Sequence, residues 1–536
     1  VTTSNTYDAI AYTNESYPLS HPDRLAALAR LHGLKPTNVE CCRVLEIGCG
    51  RGGNLIPLAE QLPNSRLLGF DLSQQQAIEG QAWISLTGLK NVEILHLDIE
   101  EFDERYGLFD YILCHGVLSW VPSDVQTAIL KICSHQLSPQ GIAFISYNVR
   151  PGWNTRSSIR DMLMYRVRNE SSPASQIATA RKFLMTLMQH LPQTISQDPF
   201  LKRELELIAK QPDAYLYHEY LEKHNQAFYF HEFCDRMQTF GLQYLCEAEA
   251  GSSVQWNHVP ELVQAIERMQ CDPIEMEQYG DFLSNRMFRQ SLVCRSEHAL
   301  DRNFRISKLD GLYIESFLVP TSESDSTSNS VEATYRDRRT GQPFTLQSPH
   351  AVVRMAFDIL AEHGNSGCEL NRLVTEAVDR FANPTNANSL VWQQLIAATL
   401  MQTFYAGKVT FRTWPGVHAT QIATKPTASV IARSQLARGN IVTSLLHRSI
   451  RLSDWEAKLL SLLDGTRSIP ELIDLLRQAH ESGEMCLSTQ SSAISKELNS
   501  TDSDRTTAEE LNRLVISETL KRTLVAFVRQ ALLVSR

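Results

Sequence analysis

Arg43-Val44-Leu45-Glu46-Ile47-Gly48-Cys49-Gly50-Arg51-Gly52-Gly53-Asn54 reads as a buried strand ending on an acid, then a glycine loop, then the first turn of a helix. Glycines 48, 50 and 52 let the backbone pass close beneath a ligand where a Cβ would collide. Glycines 48, 50 and 53 also fit the dinucleotide pattern G-x-G-x-x-G, so the loop by itself does not name its ligand. The chain that follows repeats the strand–helix alternation. Helix Asn54–Gln61 leads to Ser65–Asp71, a second apolar strand closed by a carboxylate, and helix Glu79–Thr87 leads to a third, Asn91–Asp98. Phe109–Cys114 and Gly141–Asn148 give strands four and five on either side of the helix Ser123–Gln136. Short apolar strands alternating with amphipathic helices predict an α/β, Rossmann-like fold with a parallel sheet covered on both faces. Ligands then bind beyond the carboxyl ends of the strands, an edge that carries Glu46, Gly48–Gly53, Asp71, Asp98, His115 and Tyr147.

Two ligands compete for this edge. Asp71 suits the ribose hydroxyls of either a nicotinamide dinucleotide or S-adenosylmethionine, because a carboxylate offers two acceptor oxygens. Asp98-Ile99 favours the second, since an acid beside an apolar residue suits an adenine amino group and ring face. Glu46 argues the same way: a carboxylate there repels a pyrophosphate but tolerates a cationic amino group and a sulfonium. A degenerate relative that keeps the glycine turn only for packing is the alternative.

At 536 residues the chain has room for about three domains. Its net charge of −9 and lack of a long basic run disfavour a nucleic-acid substrate. Eleven scattered cysteines with no C-x-x-C pair suggest a reducing compartment and no zinc site. The polar opening residues give no secretory leader, and no apolar run reaches membrane-spanning length, so a cytoplasmic protein is expected.

The strand–helix block resembles class I methyltransferases, whose sheets end in an antiparallel pair, and Gly241–Glu249 and Phe288–Arg295 supply candidates for strands six and seven. The catalytic core is then 1–153 and 231–300, with 154–230 a helical insertion carrying Thr155–Asn169, Ala174–His190 and Phe200–Lys210. Such an insertion lies over the ligand edge, as a lid, a dimerisation surface or a packing elaboration. Thr321–Ser330 is too polar to pack and reads as a linker or loop. Residues 301–416 show a hairpin around Arg339-Thr340-Gly341, three helices and a strand, a winged-helix-like unit. A C-terminal domain, 417–536, is mostly helical, with Ser468 capping one helix and a last helix over Ala508–Leu533. No catalytic constellation is visible after about residue 300.

The first block resembles class I S-adenosylmethionine-dependent methyltransferases. A closer resemblance rests on Tyr7-Asp8-x-x-x-Tyr12, Ser20-His21-Pro22-x-Arg24, Gly52-Gly53-Asn54-Leu55-Ile56-Pro57, His115-Gly116-Val117-Leu118-Ser119-Trp120-Val121-Pro122 and Ser146-Tyr147-Asn148-x-x-Pro151-Gly152-Trp153. These are similar to bacterial methyltransferases with a methyltransferase regulatory domain, which include rickettsial protein-lysine methyltransferases. Leu216–Leu221 and Phe288–Arg295 resemble the regulatory domain, and Ile431–Ala437 and Leu462–Thr466 the family's tail. Leu118 stands where the family pattern has an aromatic, and two serine-rich tracts are local departures.

The resemblance implies a donor-binding set of Tyr12, His21, Glu46, Gly48, Cys49, Gly50, Gly52, Asn54, Asp71, Leu72, Asp98, Ile99 and His115. Methyl transfer needs alignment and exclusion of water more than a strong base. Aromatic rings and oxygen acceptors therefore make His115, Trp120, Tyr147 and Asn148 the catalytic candidates. His218-Glu219 reads as structural or as facing the cleft. A protein amino group is the expected acceptor, lysine above all. A small-molecule methyltransferase and a non-catalytic donor-binding scaffold are the alternatives, and a homodimer through the insertion is a further expectation.

Overall fold

The computed structural model describes residues 10, 15–190, 199–249, 251, 264–266, 268–321, 332–348, 350–381, 389–482 and 508–535. Tyr7 and Tyr12 of the N-terminal motif, and all of the Thr321–Ser330 tract but Thr321, lie outside them.

The core is a seven-stranded sheet in the order β3-β2-β1-β4-β5-β7-β6. Its strands are β1 (Arg43–Ile47), β2 (Arg66–Asp71), β3 (Val92–His96), β4 (Phe109–Cys114), β5 (Leu137–Asn148), β6 (Leu242–Glu247) and β7 (Phe288–Arg295). The first five pair in parallel, while β7 runs antiparallel to β5 and β6 antiparallel to β7. Near-continuous burial along β1 and β4 follows from helices covering both faces. Side chains alternate across the sheet, so Val44, Tyr111 and Phe144 enter one apolar core and Leu45, Ile112 and Ile145 the other.

The segment between β5 and β6 folds back as helices Gly152–Val167, Pro173–His190 and Pro199–Lys210, packed around their own core of Ile159, Leu163, Leu184 and Leu216. It returns beside the sheet where Phe228 N–H donates to Asn148 O at 3.0 Å. Arg289 of β7 is fully buried and pairs with Glu247 at 2.7 Å, Asp281 at 2.8 Å and Glu277 at 2.9 Å. Its guanidinium also lies 3.8 Å from the centre of the Phe230 ring. This arginine ties β6, β7 and the helix Pro273–Ser284 together from inside.

Two smaller units follow. The first contains the sheets β12-β8-β13 and β11-β10-β9 with helices Ala351–His363, Leu370–Arg380 and Ser389–Tyr405. Here β8 is Tyr313–Ser316, β9 Leu318–Pro320, β10 Glu332–Asp337, β11 Pro343–Gln347, β12 Cys368–Glu369 and β13 Val409–Arg412. The second contains the hairpin β14 (Ile441–Thr443) and β15 (Ser449–Arg451) with helices Asp454–Leu462, Ile469–Glu481 and Ala508–Arg529. The last helix stops at Arg529, short of the Leu533 expected. Ala531 takes φ 55°, a left-handed turn that lets Leu533 bridge to Ala428 instead. Among the described residues no helix is long and apolar enough to cross a membrane.

Candidate active site

Glu46 ends β1 on the face shared with Val44, and Asn54 starts the helix Leu55–Gln61 just past the loop. Asn54 Nδ2 donates to Glu46 Oε1 at 2.7 Å, while the other carboxylate oxygen, Oε2, is buried without a hydrogen-bond partner. Burial pushes the Glu46 carboxyl up to about 8, a rise the Asn54 bond moderates and the Asp71 charge increases. The loop is cinched by Asp71 at the end of β2: Gly50 N–H donates to its Oδ2 at 2.8 Å and Ser73 N–H to its Oδ1 at 2.9 Å. Gly48 has φ 68° and its missing Cβ leaves room for Val117; Gly52 has φ 79° and makes room for Ile56 and Ile94. Both glycines are therefore required by the backbone and its packing as well as by any ligand. The Cys49 thiol is buried against Gly69, so only its backbone belongs to the loop.

Further along the edge, Asp98 Oδ1 accepts from Glu100 N–H at 3.0 Å and opens a short turn that carries Ile99. Leu72, directly after β2, is 56% exposed. An orphaned buried oxygen at Glu46, a carboxylate-tethered loop and exposed Leu72 near Asp98-Ile99 fit S-adenosylmethionine. The amino group would meet Glu46, the ribose Asp71, and the adenine Asp98, Ile99 and Leu72.

The acceptor side lies next to it. His115, after β4, places Nδ1 3.0 Å from Ser146 Oγ, which also accepts from Gly116 N–H at 2.7 Å. Burial lowers His115 to about 4, so its ring is neutral at physiological pH. Tyr17 stacks on that ring with centroids 3.9 Å apart, and its N–H donates to Asn54 Oδ1 at 2.8 Å. Tyr17 also hydrogen-bonds Gln290 through its hydroxyl. Phe288, 38% exposed, stands edge-on to His115 at 6.4 Å. Cross-strand pairing of Ser146 with Gln290 and of Asn148 with Phe288 puts these residues on one face.

Several expected residues are used differently. Tyr147 is 1% exposed, packs 4.0 Å from the Phe233 ring and hydrogen-bonds Ser291 Oγ at 2.9 Å. Strand alternation turns it to the face opposite Ser146, so it is a core residue and not a catalytic candidate. His21 caps the helix Pro22–Leu31 through Nδ1 and bonds Gln61 Oε1 at 3.0 Å, behind Asn54. Asn148 is buried, with its N–H donating to Ser119 Oγ at 2.8 Å. Trp120 is half-buried and meets Trp153 edge-on at 6.0 Å. His218 takes the structural alternative, holding the carbonyl of Ile10 at 2.8 Å and Glu222 at 3.2 Å. Tyr17, Phe288 and His447 were not singled out in the sequence. Tyr17 lies on the N-terminal arm where other aromatics drew attention, and Phe288 follows from strand pairing alone.

His447 comes from the hairpin turn between β14 and β15, nearly four hundred residues beyond Asn54, and its Nε2 lies 2.7 Å from Asn54 Oδ1. The sequence showed no catalytic constellation after about residue 300, and His447 reaches the site as a single side chain from that part of the chain. One cluster of potential metal ligands occurs among the described residues: His363, Cys368 and Glu376, with ligand atoms within 4.8 Å of one another. Glu376 already pairs with Arg372 at 2.7 Å, a guanidinium that a metal cation would have to face.

A sheet that ends in an antiparallel pair, with an acid at the end of each of its first strands around a glycine loop, defines a class I S-adenosylmethionine-dependent methyltransferase. A methyltransferase domain model matches residues 44–141, a predicted methyltransferase regulatory domain 212–295, and a PKMT C-terminal winged-helix domain 424–532. Winged-helix-like character was expected in the C-terminal part and placed at 301–416; the family match puts it on the last unit. An uncharacterized protein of Rickettsia prowazekii is 33% identical over 506 residues, 91% of this chain and 89% of that protein. A second R. prowazekii protein is 40% identical over 233 residues, 43% of this chain and 93% of its own length. PKMT2 from Rickettsia typhi, solved in complex with AdoHcy, is 29% identical with a TM-score of 0.82, covering 98% of this chain and all of that one. The chain belongs to this family of methyltransferases with a regulatory domain, and its methyl donor is S-adenosylmethionine.

Proposed function

We propose that this enzyme methylates lysine side chains of protein substrates. The observation that carries the reading is the likeness to PKMT2, a name that denotes a protein-lysine methyltransferase, along almost the whole chain and not only the catalytic sheet. The acceptor face supports it. Tyr17, neutral His115 and Phe288 form an aromatic surface, backed by buried Ser146, which suits a cationic amine shedding its water. When bound, the donor supplies an electrophilic methyl group on a sulfonium. The chain orients the incoming amine against Tyr17, His115 and Phe288, with Asn148 and Trp120 at the margin. It excludes water, and desolvation beside the sulfonium charge lowers the lysine pKa, so the amine gives its proton to solvent as it enters. Glu46, Asp71, Asp98, Ile99 and Leu72 hold the donor.

Residues 1–153 and 231–300 act as the catalytic core, with the insertion and the two later units presenting the protein substrate. Tyr165, Met185 and Met188 are exposed on the insertion helices, and we assign pairing of two copies to that surface; a monomeric mass in light scattering would remove it. Ten cysteines among the described residues are all free, which supports a cytoplasmic location.

The test is incubation of the full chain with methyl-labelled donor and a protein extract, beside Asp71→Ala. Label on protein lysine, absent with the variant, is the expected result. Label confined to the small-molecule fraction would replace this reading with a small-molecule acceptor.

A further inference from the structure

The polar chain behind the glycine loop continues into the C-terminal unit. His21 Nδ1 accepts from Asp23 N–H at 3.1 Å, so its proton is on Nε2, 3.0 Å from Gln61 Oε1. Gln61 turns its amide nitrogen to Ser444 O at 3.1 Å and to His447 Nδ1 at 3.3 Å. His447 therefore carries its proton on Nε2 and donates to Asn54 Oδ1 at 2.7 Å. Asn54 then has only its amide nitrogen to offer Glu46, at 2.7 Å. Every donor points the same way, from His21 to Glu46. Reversing the Asn54 amide would set a donor against both His447 Nε2–H and the Tyr17 N–H, which lies 2.8 Å from Oδ1.

The turn that delivers His447 is built for the purpose. His447 is 0% exposed and has φ 61°, a left-handed backbone that glycine or asparagine adopts more readily than histidine. Ser444 Oγ accepts from the N–H groups of Leu446 at 3.4 Å and Arg448 at 3.2 Å. Arg448 reaches the other way and meets both oxygens of buried Glu315 on β8, at 2.9 and 3.0 Å. The same unit is hooked to the helix Leu55–Gln61 by Glu60, which accepts from Ser429 Oγ at 2.5 Å and Val430 N–H at 2.7 Å. A buried imidazole kept at a strained backbone position is a side chain with a task.

We propose that His447 is a positioning residue of the donor site, holding the Asn54 amide together with the Tyr17 N–H so that Glu46 presents its unbonded oxygen to the donor's amino group. Donor affinity is thereby coupled to docking of the C-terminal unit, and the coupling is reciprocal. The proposal deepens the assignment of Glu46 to the donor and rests on it.

The test is calorimetric titration of the full chain with S-adenosylhomocysteine, comparing wild type, His447→Ala, His447→Gln and Glu46→Gln. His447→Ala is expected to weaken binding about tenfold, the loss of one hydrogen bond to a polar network. His447→Gln, whose amide supplies an acceptor and a donor, should recover most of the affinity. Hydrogen exchange gives a second readout: the ligand should slow amide exchange across residues 441–451 in wild type and not in His447→Ala. If His447→Ala does not fold, His447→Asn suits the backbone and is too short to span both partners, so it carries the same expectation. Wild-type affinity in the Ala or Asn variant, or a Gln variant as weak as Ala, would overturn the positioning role. An unchanged Glu46→Gln would instead overturn the assignment of Glu46, and absence of binding by wild type the donor site itself.

Discussion

Glu46 shows how one side chain can be costly alone and useful when occupied. In the free protein its carboxyl sits at about 8 because burial disfavours the charge, Asn54 offsets only part of this, and Asp71 adds repulsion. At pH 7 it is mostly protonated, so a cationic amino group arriving at Oε2 favours ionisation and expels a proton. Donor binding at pH 7, measured in buffers of different ionisation enthalpy, should release close to one proton; Glu46→Gln should release none and bind about tenfold more weakly. A buffer-independent enthalpy in wild type would count against the assignment. Stability should move the opposite way. A carboxyl raised in the fold ionises first in the unfolded chain, so the ligand-free protein loses stability as pH rises from 4.5 toward 8. At pH 8, Glu46→Gln should therefore melt higher than wild type without ligand, by about 1–3 kcal/mol. Glu46 was legible in the sequence because an acid before a glycine loop has few structural uses. Tyr147 was misread because a strand end does not disclose which face each residue takes until the pairing register is known.

Among the elements, β7 carries the acceptor face, and one residue fixes it. Arg289 holds three carboxylates in the interior, and its neighbours Phe288 and Gln290 point to the site. Burial alone would raise Glu247, yet Arg289 and Arg286 outweigh it and hold its carboxyl below the usual range. Arg289→Met would leave those acids without their central cation and should cost about 3–5 kcal/mol, read as a lowered midpoint in chemical denaturation. A loss below 1 kcal/mol would mean that Arg286, which reaches Asp281 at 3.3 Å, takes over the pairing. The sheet strands were legible because apolar runs and terminal acids are local signals. The antiparallel pair was found through the resemblance, which implies two closing strands, since Gly241–Glu249 and Phe288–Arg295 carry few β-branched residues of their own. The Arg289 cluster was not, because its acids come from β6 and from a separate helix, with no common spacing in the chain.

On the scale of the whole molecule, the decisive contacts join residues far apart in sequence. Asp23 accepts from Thr413, Arg24 donates to Thr410 at 2.8 Å, Trp83 to Ser434 at 2.8 Å, and His447 to Asn54. No periodicity or motif can announce such pairs, which is why no constellation was visible in the C-terminal units. The same interface gathers buried neutral histidines, and this makes acid its weak point. Burial lowers His21 to about 4 and His447 well below its ordinary value, with Arg412 and His21 respectively adding to the effect and Gln61 opposing it at His21. A histidine depressed in the fold is protonated first in the unfolded chain, so its stability contribution is complete above 6.5 and is lost as pH falls toward 4. At pH 5 each such group withdraws up to about 2 kcal/mol. Glu60, raised by its own burial at this interface, pulls the other way and softens the fall. The midpoint of thermal unfolding should therefore drop between pH 7 and pH 5, with proteolytic cleavage around residues 413–430 rising in step as the last unit leaves the helix Leu55–Gln61. His447→Gln removes one titrating group and should flatten the drop while keeping the hydrogen bonds. A flat profile in wild type would show that the interface does not carry its histidines neutral, and an unaltered slope in His447→Gln would shift the acid sensitivity to His21 and His115.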